Sequence, residues 1–204
     1  MTINEFGGRV ASVWDGLRPV TKKMLVGALQ AAGTSNTKAP QFSYDAHADW
    51  EVSRLLTALD EQSRVSEIRR DSAKLTEIKL FADACARVLE SQSASAEVFI
   101  QLAERAIKDN DYHHLDQLGD HLVRRFSTSE IAEVVRQTDL PQIRAIAYET
   151  LALMPVQALL PILDDPLYSG IAAAALEQKA YEFDSEEARD ILDQLEDAGE
   201  ATGQ

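Results

Sequence analysis

The chain has little cysteine, glycine or proline: one, nine and six residues respectively among 204. A single cysteine, Cys85, excludes an internal disulfide framework and fits a reducing compartment. Placed between Ala84 and Ala86, it reads as a small buried apolar residue. Sparse glycine and proline leave long runs of Ala, Leu, Glu, Gln and Arg, which favour helix. No alternating strand pattern occurs, so the expected fold class is all-α. Met1 to Glu5 carries no base and no apolar run follows directly, so no signal peptide is expected. The run Met24 to Ala32 behind Lys22-Lys23 contains Gln30 and is too short to span a bilayer. The expectation is therefore a cytoplasmic protein without stable membrane insertion.

Basic residues are also scarce. Twenty Lys and Arg stand against 34 Asp and Glu, a formal charge of −14. The imbalance is uneven: residues 1–40 hold five bases and two acids, and residues 127–204 hold four bases and sixteen acids. Such a field repels phosphate backbones, because nucleic-acid affinity depends on Lys and Arg displacing counterions. It suits a protein partner with a basic surface.

Enzyme signatures are missing as well. The sequence has no Glu-x-x-His pair, no His-Glu-x-x-His, no His-Asp dipeptide, no P-loop and no dinucleotide fingerprint. No catalytic residue and no cofactor are assigned on this basis. The most suggestive polar cluster is His113, His114, Asp116, Gln117, Asp120 and His121 on one helix. Its plain reading is the polar face of a helix whose core side is Leu115, Leu118 and Leu122. A metal site would need ligands from further helices, so no metal is assigned. A helical metal-binding protein built on His113, His114 and His121 stands as an alternative.

Helical periodicity organises the rest. Val10, Val13, Trp14 and Leu17 form one apolar stripe, and a second helix runs from Pro19 through Met24, Leu25, Ala28 and Leu29 to Gly33. Residues 1–33 thus read as short basic N-terminal helices, docking weakly or on another molecule, and the polar stretch 34–43 as a linker. In the segment 44–94, expected to pack on the repeats that follow, Ala48, Val52, Leu55, Leu56 and Leu59 mark one helix. Val65, Ile68, Ser72, Leu75, Lys79, Ala82, Ala86 and Leu89 mark a longer one, whose latter half gains a second apolar face from Ile78, Phe81, Cys85 and Val88. Residues 95–198 change to a periodic array, and 199–204 form an acidic tail.

A shift of 28 residues aligns Ala103, Ile131 and Leu159, then Ala106, Val134 and Ile162, then Leu115, Ile143 and Ile171, then Gly119, Ala147 and Ala175. A fixed period with apolar positions in register is the signature of stacked helical pairs. Ser127 with Glu130, and Asp184 with Glu187, read as capping boxes, and Asp165-Pro166 as an N-cap with a first-turn proline. Met154-Pro155 ends one helix, and Pro161 falls inside another.

The segment Leu159 to Ala180, LLPILDDPLYSGIAAAALEQKA, resembles short HEAT-type repeats in its apolar helix, Asp-Pro turn and Ala-rich second helix. Thr138 to Leu151, TDLPQIRAIAYETL, resembles the same turn with the family's Ile-Arg pair as Ile143-Arg144. The resemblance covers roughly residues 99–182 and departs where Ala172 and Asp116 replace the arginine. It implies a right-handed helical-hairpin solenoid preceded by an N-terminal helical segment, acting as a non-catalytic interaction module or adaptor. Some short proteins of this kind resemble bilin lyases, which implies a ligand-binding enzyme with a groove site as an alternative. Deoxyhypusine hydroxylase resembles the architecture but depends on His-Glu pairs that are missing here. In such arrays the second helices line the concave face. The register places Asp120, Tyr148, Glu149 and Glu177 there as the expected acidic partner-binding row. Trp14, Trp50, Tyr168 and Tyr181 are further candidate anchors.

Overall fold

The computed structural model describes residues 3–31 and 44–202, so the expected linker at 34–43 and the helix stop at Gly33 lie outside the described residues. All regular structure among them is helical: a 3-10 turn, Ile3–Phe6, and twelve α-helices. The chain divides into two compact units, Met1–Ser93 and Ala94–Gln204.

Unit 1 comprises α1 (Gly8–Gly16), α2 (Pro19–Ala31), α3 (Ala46–Ser63), α4 (Ser66–Arg70) and α5 (Ser72–Gln92). Helices α3 and α5 form its centre, packed along each other through Val52, Leu55, Leu56, Leu59, Ile78, Ala82, Cys85 and Leu89, all buried. The latter half of α5 is buried on two sides, as its double apolar stripe requires. The long pattern from Val65 is not one helix, however. It breaks at Asp71, whose side chain accepts the Lys74 N–H at 3.0 Å and starts α5 afresh. Carboxylate capping competes there with helix continuation, which apolar spacing alone does not reveal.

The N-terminal helices are seated on this centre. Helix α1 packs on α3, and α2 packs on α5 and α3. Phe6, Val10, Leu17 and Leu25 are buried. Phe81 of α5 receives Phe6 and Trp14 edge-on, with ring centroids 6.3 and 5.6 Å away, so Trp14 is half-buried rather than a surface anchor. Gly7, ahead of α1, has φ 129° and ψ 155°, and a Cβ there would meet the Gln62 side chain at 2.8 Å. This backbone region is essentially confined to glycine.

Unit 2 comprises α6 (Ala96–Lys108), α7 (Tyr112–Arg125), α8 (Thr128–Gln137), α9 (Pro141–Leu153), α10 (Val156–Leu163), α11 (Ser169–Glu182) and α12 (Glu186–Thr202). Helix α6 packs on α7 and α8, α7 on α9, α8 on α9 and α10, α9 on α11, α10 on α11, and α11 on α12. The core holds the aligned residues: Ala103, Ile131 and Leu159 are fully buried, and Ala106, Val134 and Ile162 nearly so. Gly119 meets Ile146 of α9 at 3.3 Å from where a Cβ would stand, so a small residue sits where these helices approach.

Local chemistry sets the helix ends. After α6, Asn110 adopts a left-handed conformation (φ 56°), while Asp111 N–H donates to Ala106 O and Asn110 N–H to Ile107 O, a Schellman closure. Ser127 Oγ accepts the Glu130 N–H, and the Glu130 carboxylate accepts the Ala96 N–H at 2.8 Å, tying the first turns of α8 and α6 together. Two expected caps are displaced. Asp165 Oδ1 accepts the Leu167 N–H in a tight turn, and α11 begins only at Ser169. Ser185, not Asp184, caps α12, accepting the Ala188 N–H, because Asp184 is left-handed (φ 53°) and pairs with Arg189. Helix α12 continues through Thr202, into the segment expected as a tail.

Candidate functional site

Unit 1 holds twelve basic and twelve acidic residues, and unit 2 holds eight and 22, so the whole net charge of −14 belongs to unit 2. Its helices α7, α9 and α11 neighbour one another in sequence order, and they carry every residue of the expected partner-binding row. Asp120, Glu149 and Glu177 are exposed. Asp120 meets Arg124 at 3.5 Å across one turn of α7, an exposed pair worth little to stability. Tyr148 is half-buried, with the Arg144 guanidinium 6.0 Å from its ring centroid. Arg144 Nη1 also donates to Val135 O and Thr138 O, satisfying carbonyls at the end of α8. The next register position after Tyr148 is Leu176, fully buried. The row Asp120, Tyr148 and Leu176 therefore runs from exposed to buried, whereas Glu149 and Glu177 face solvent in the row that begins at half-buried His121.

Further along the same helices, Leu153 and Tyr181 are exposed. Lys179 Nζ of α11 donates to Ala152 O of α9 at 2.9 Å, so a cation closes the C-terminal end of α9 and fastens α11 to it. Tyr181 was legible as an aromatic outside the apolar stripe. Leu153 was not, because a leucine beside Met154-Pro155 reads as core.

A second polar group was not anticipated. Glu133 of α8 accepts from Arg136 Nε at 2.7 Å, Gln137 Nε2 at 2.6 Å and the Tyr168 hydroxyl at 2.9 Å. The guanidinium of Arg136, with Gln137 and Tyr168, holds the Glu133 carboxyl down at about 2, and Glu133 in turn pushes the Tyr168 phenol up. Tyr168 is thereby committed to fixing the turn before α11 to α8. With the folded carboxyl below its ordinary 4.5, this stabilisation is complete above about pH 4.5 and lost as the pH falls toward 2. Glu133→Gln is expected to flatten the acid limb of the stability-pH curve over that window, read by urea unfolding at stepped pH. An unchanged limb would show that the network contributes nothing.

In unit 1 the buried carboxylate is Glu51. It accepts the Arg18 backbone N–H at 2.6 Å, Arg18 Nε at 2.9 Å and the Thr21 hydroxyl at 2.5 Å, while Arg18 also forks onto Asp45, the N-cap of α3. Trp50 lies exposed on α3 with the Arg54 guanidinium 4.4 Å from its ring centroid.

Among the described residues, no group of three or more His, Cys, Asp or Glu could hold a metal ion. His113 is exposed beside Gln117, and His114 and His121 are half-buried. No single helix among the described residues is long and apolar enough to cross a membrane. The pair α9 and α10 reaches that composition only together, across a 117° bend. Comparison with known proteins finds no matching family model, curated protein or solved structure.

Proposed function

We propose that unit 2 is a non-catalytic protein-interaction module, a short HEAT-like solenoid whose second helices present an acidic surface to a basic protein partner. The pairs α6 with α7, α8 with α9, and α10 with α11 are its repeats, and α12 covers one end. Supporting the repeat reading, the 28-residue register falls on Ala103, Ile131 and Leu159, equivalent and fully buried in the three first helices. Neighbouring repeats also pack like against like. The observation that carries the function is electrostatic: unit 2 has 22 acids against eight bases, with Glu149 and Glu177 exposed at one register position. Asp120, in the adjoining row, adds an exposed carboxylate on α7, and half-buried Tyr148 lies beside Arg144 in that same row's position on α9. Exposed carboxylates steer a cationic partner and fix its register more than they add affinity.

Reversing the charge at both positions, Glu149→Lys with Glu177→Lys, tests this reading. Partner capture from native lysate at low salt is expected to fall sharply, with the helical signal of the protein unchanged. The captured set should also weaken as salt rises through the range where the Debye length shrinks below about 10 Å. An identical captured set from the reversed variant would contradict the proposal.

A further inference from the structure

Tyr181 has the highest exposure of the large apolar and aromatic side chains among the described residues, at 82%, and Leu153 stands at 52%. They are 28 residues apart, so they occupy one register position on α9 and α11, which pack on each other and are fastened by Lys179 at Ala152. One turn earlier on each helix stand Glu149 and Glu177, both exposed and neither bonded to another described residue. A single exposed leucine means nothing. Two apolar residues at equivalent positions on packed helices, each backed by an unspent carboxylate, make a stripe with a charged edge.

We infer that Glu149, Leu153, Glu177 and Tyr181 form a docking patch for a basic amphipathic helical segment of another protein. This rests on the reading of unit 2 as an interaction module and adds the anchors and the partner's chemistry. The partner's apolar side chains lie over Leu153 and Tyr181, and its Lys or Arg side chains reach Glu149 and Glu177. Side chains three or four apart on a helix stand about 5–6 Å from one another, the same one-turn spacing that separates carboxylate from apolar residue on α9 and on α11. Charge selects this occupant. The same patch of a second copy would set carboxylate against carboxylate, and an anionic membrane surface would be repelled.

The test uses the full chain and a fluorescent helical peptide of about 18 residues, composed of Lys with one Leu stripe. A lysine-rich peptide of equal charge without the stripe and a Glu/Leu peptide serve as comparisons. The wild-type chain is expected to bind the Lys/Leu peptide, and to bind the Glu/Leu peptide not at all. The double variant Leu153→Ser with Tyr181→Ser is expected to weaken Lys/Leu binding by about tenfold or more, with lysine-peptide binding and circular dichroism unchanged. Unaltered Lys/Leu binding by that variant would overturn the patch while leaving unit 2 a cation-binding surface. Failure of the wild-type chain to bind either cationic peptide would overturn the patch together with the reading beneath it.

Discussion

Replacing Glu51 with alanine is expected to destabilise unit 1 by about 1–3 kcal/mol, the cost of leaving a buried donor such as the Thr21 hydroxyl without its acceptor. Glu51 is 2% exposed and receives three donors: the backbone and side chain of Arg18, and the buried Thr21 hydroxyl. Without the carboxylate, the Arg18 N–H and Thr21 lose their acceptor, and the polar fastening of the start of α2 to α3 is left to the Arg18–Asp45 fork. Glu51→Gln keeps an acceptor in place and should cost less. Both tryptophans, Trp14 and Trp50, lie in unit 1, so urea unfolding followed by tryptophan fluorescence reports on this unit.

The pH dependence gives a second reading of the same contact. Burial pushes the Glu51 carboxyl up, but Thr21 and Arg18 outweigh it and hold the group below its ordinary value. The wild-type contribution is therefore present above about pH 4.5 and lost as the pH falls. Arg18→Met removes the side-chain hydrogen bond and the charge but keeps the residue-18 backbone N–H and Thr21, so the folded carboxyl should rise toward its ordinary value. The acid slope should then become shallower than in the wild-type chain. Equal slopes in the two proteins would show that the Arg18 side chain takes no part in holding the Glu51 carboxyl down.

Leu159→Ala is expected to cost unit 2 about 2–5 kcal/mol, because a fully buried leucine leaves both lost transfer energy and a cavity. Leu153→Ala, only six residues away but exposed, should fall within about 0.5 kcal/mol of wild type. Far-UV circular dichroism during denaturation measures both. The contrast is the consequence of register: position 159 repeats the buried Ala103 and Ile131, whereas 153 repeats Arg125 and Tyr181, which are exposed. Comparable losses from the two substitutions would show that the register does not govern burial here.

Much of this was legible because it is periodic. The double stripe on α5 announced burial on two sides, the 28-residue shift picked out buried positions in α6, α8 and α10, and Met154-Pro155 marked the end of α9. What escaped was set by single side chains or by partners distant in sequence. Asp71 breaks an apolar pattern that otherwise runs on, because its carboxylate can satisfy the next turn's N–H group. Glu51 falls within the stripe of Ala48, Val52 and Leu55, and an acid on a buried face is itself a signal. Its partner Arg18, however, is 33 residues away. Tyr168 and Glu133 are 35 apart, and nothing local to either names the other. The candidate site was legible in position but not in orientation. The register brought Glu149 and Glu177 to one row, but it could not show that Tyr148 leans on Arg144 or that Leu153 and Tyr181 stand clear.

The central claim is that the second helices of unit 2 meet a protein partner, and site-specific photo-crosslinking in living cells addresses it most directly. A photoreactive residue placed in turn at Glu149, Leu153 and Tyr181 on α9 and α11 is expected to yield one common adduct. The same residue at Glu97 and Lys108, exposed on the first helix α6, should not yield it, and Glu149→Lys with Glu177→Lys should abolish it. Equal adducts from α6, or none from α9 and α11, would contradict the account.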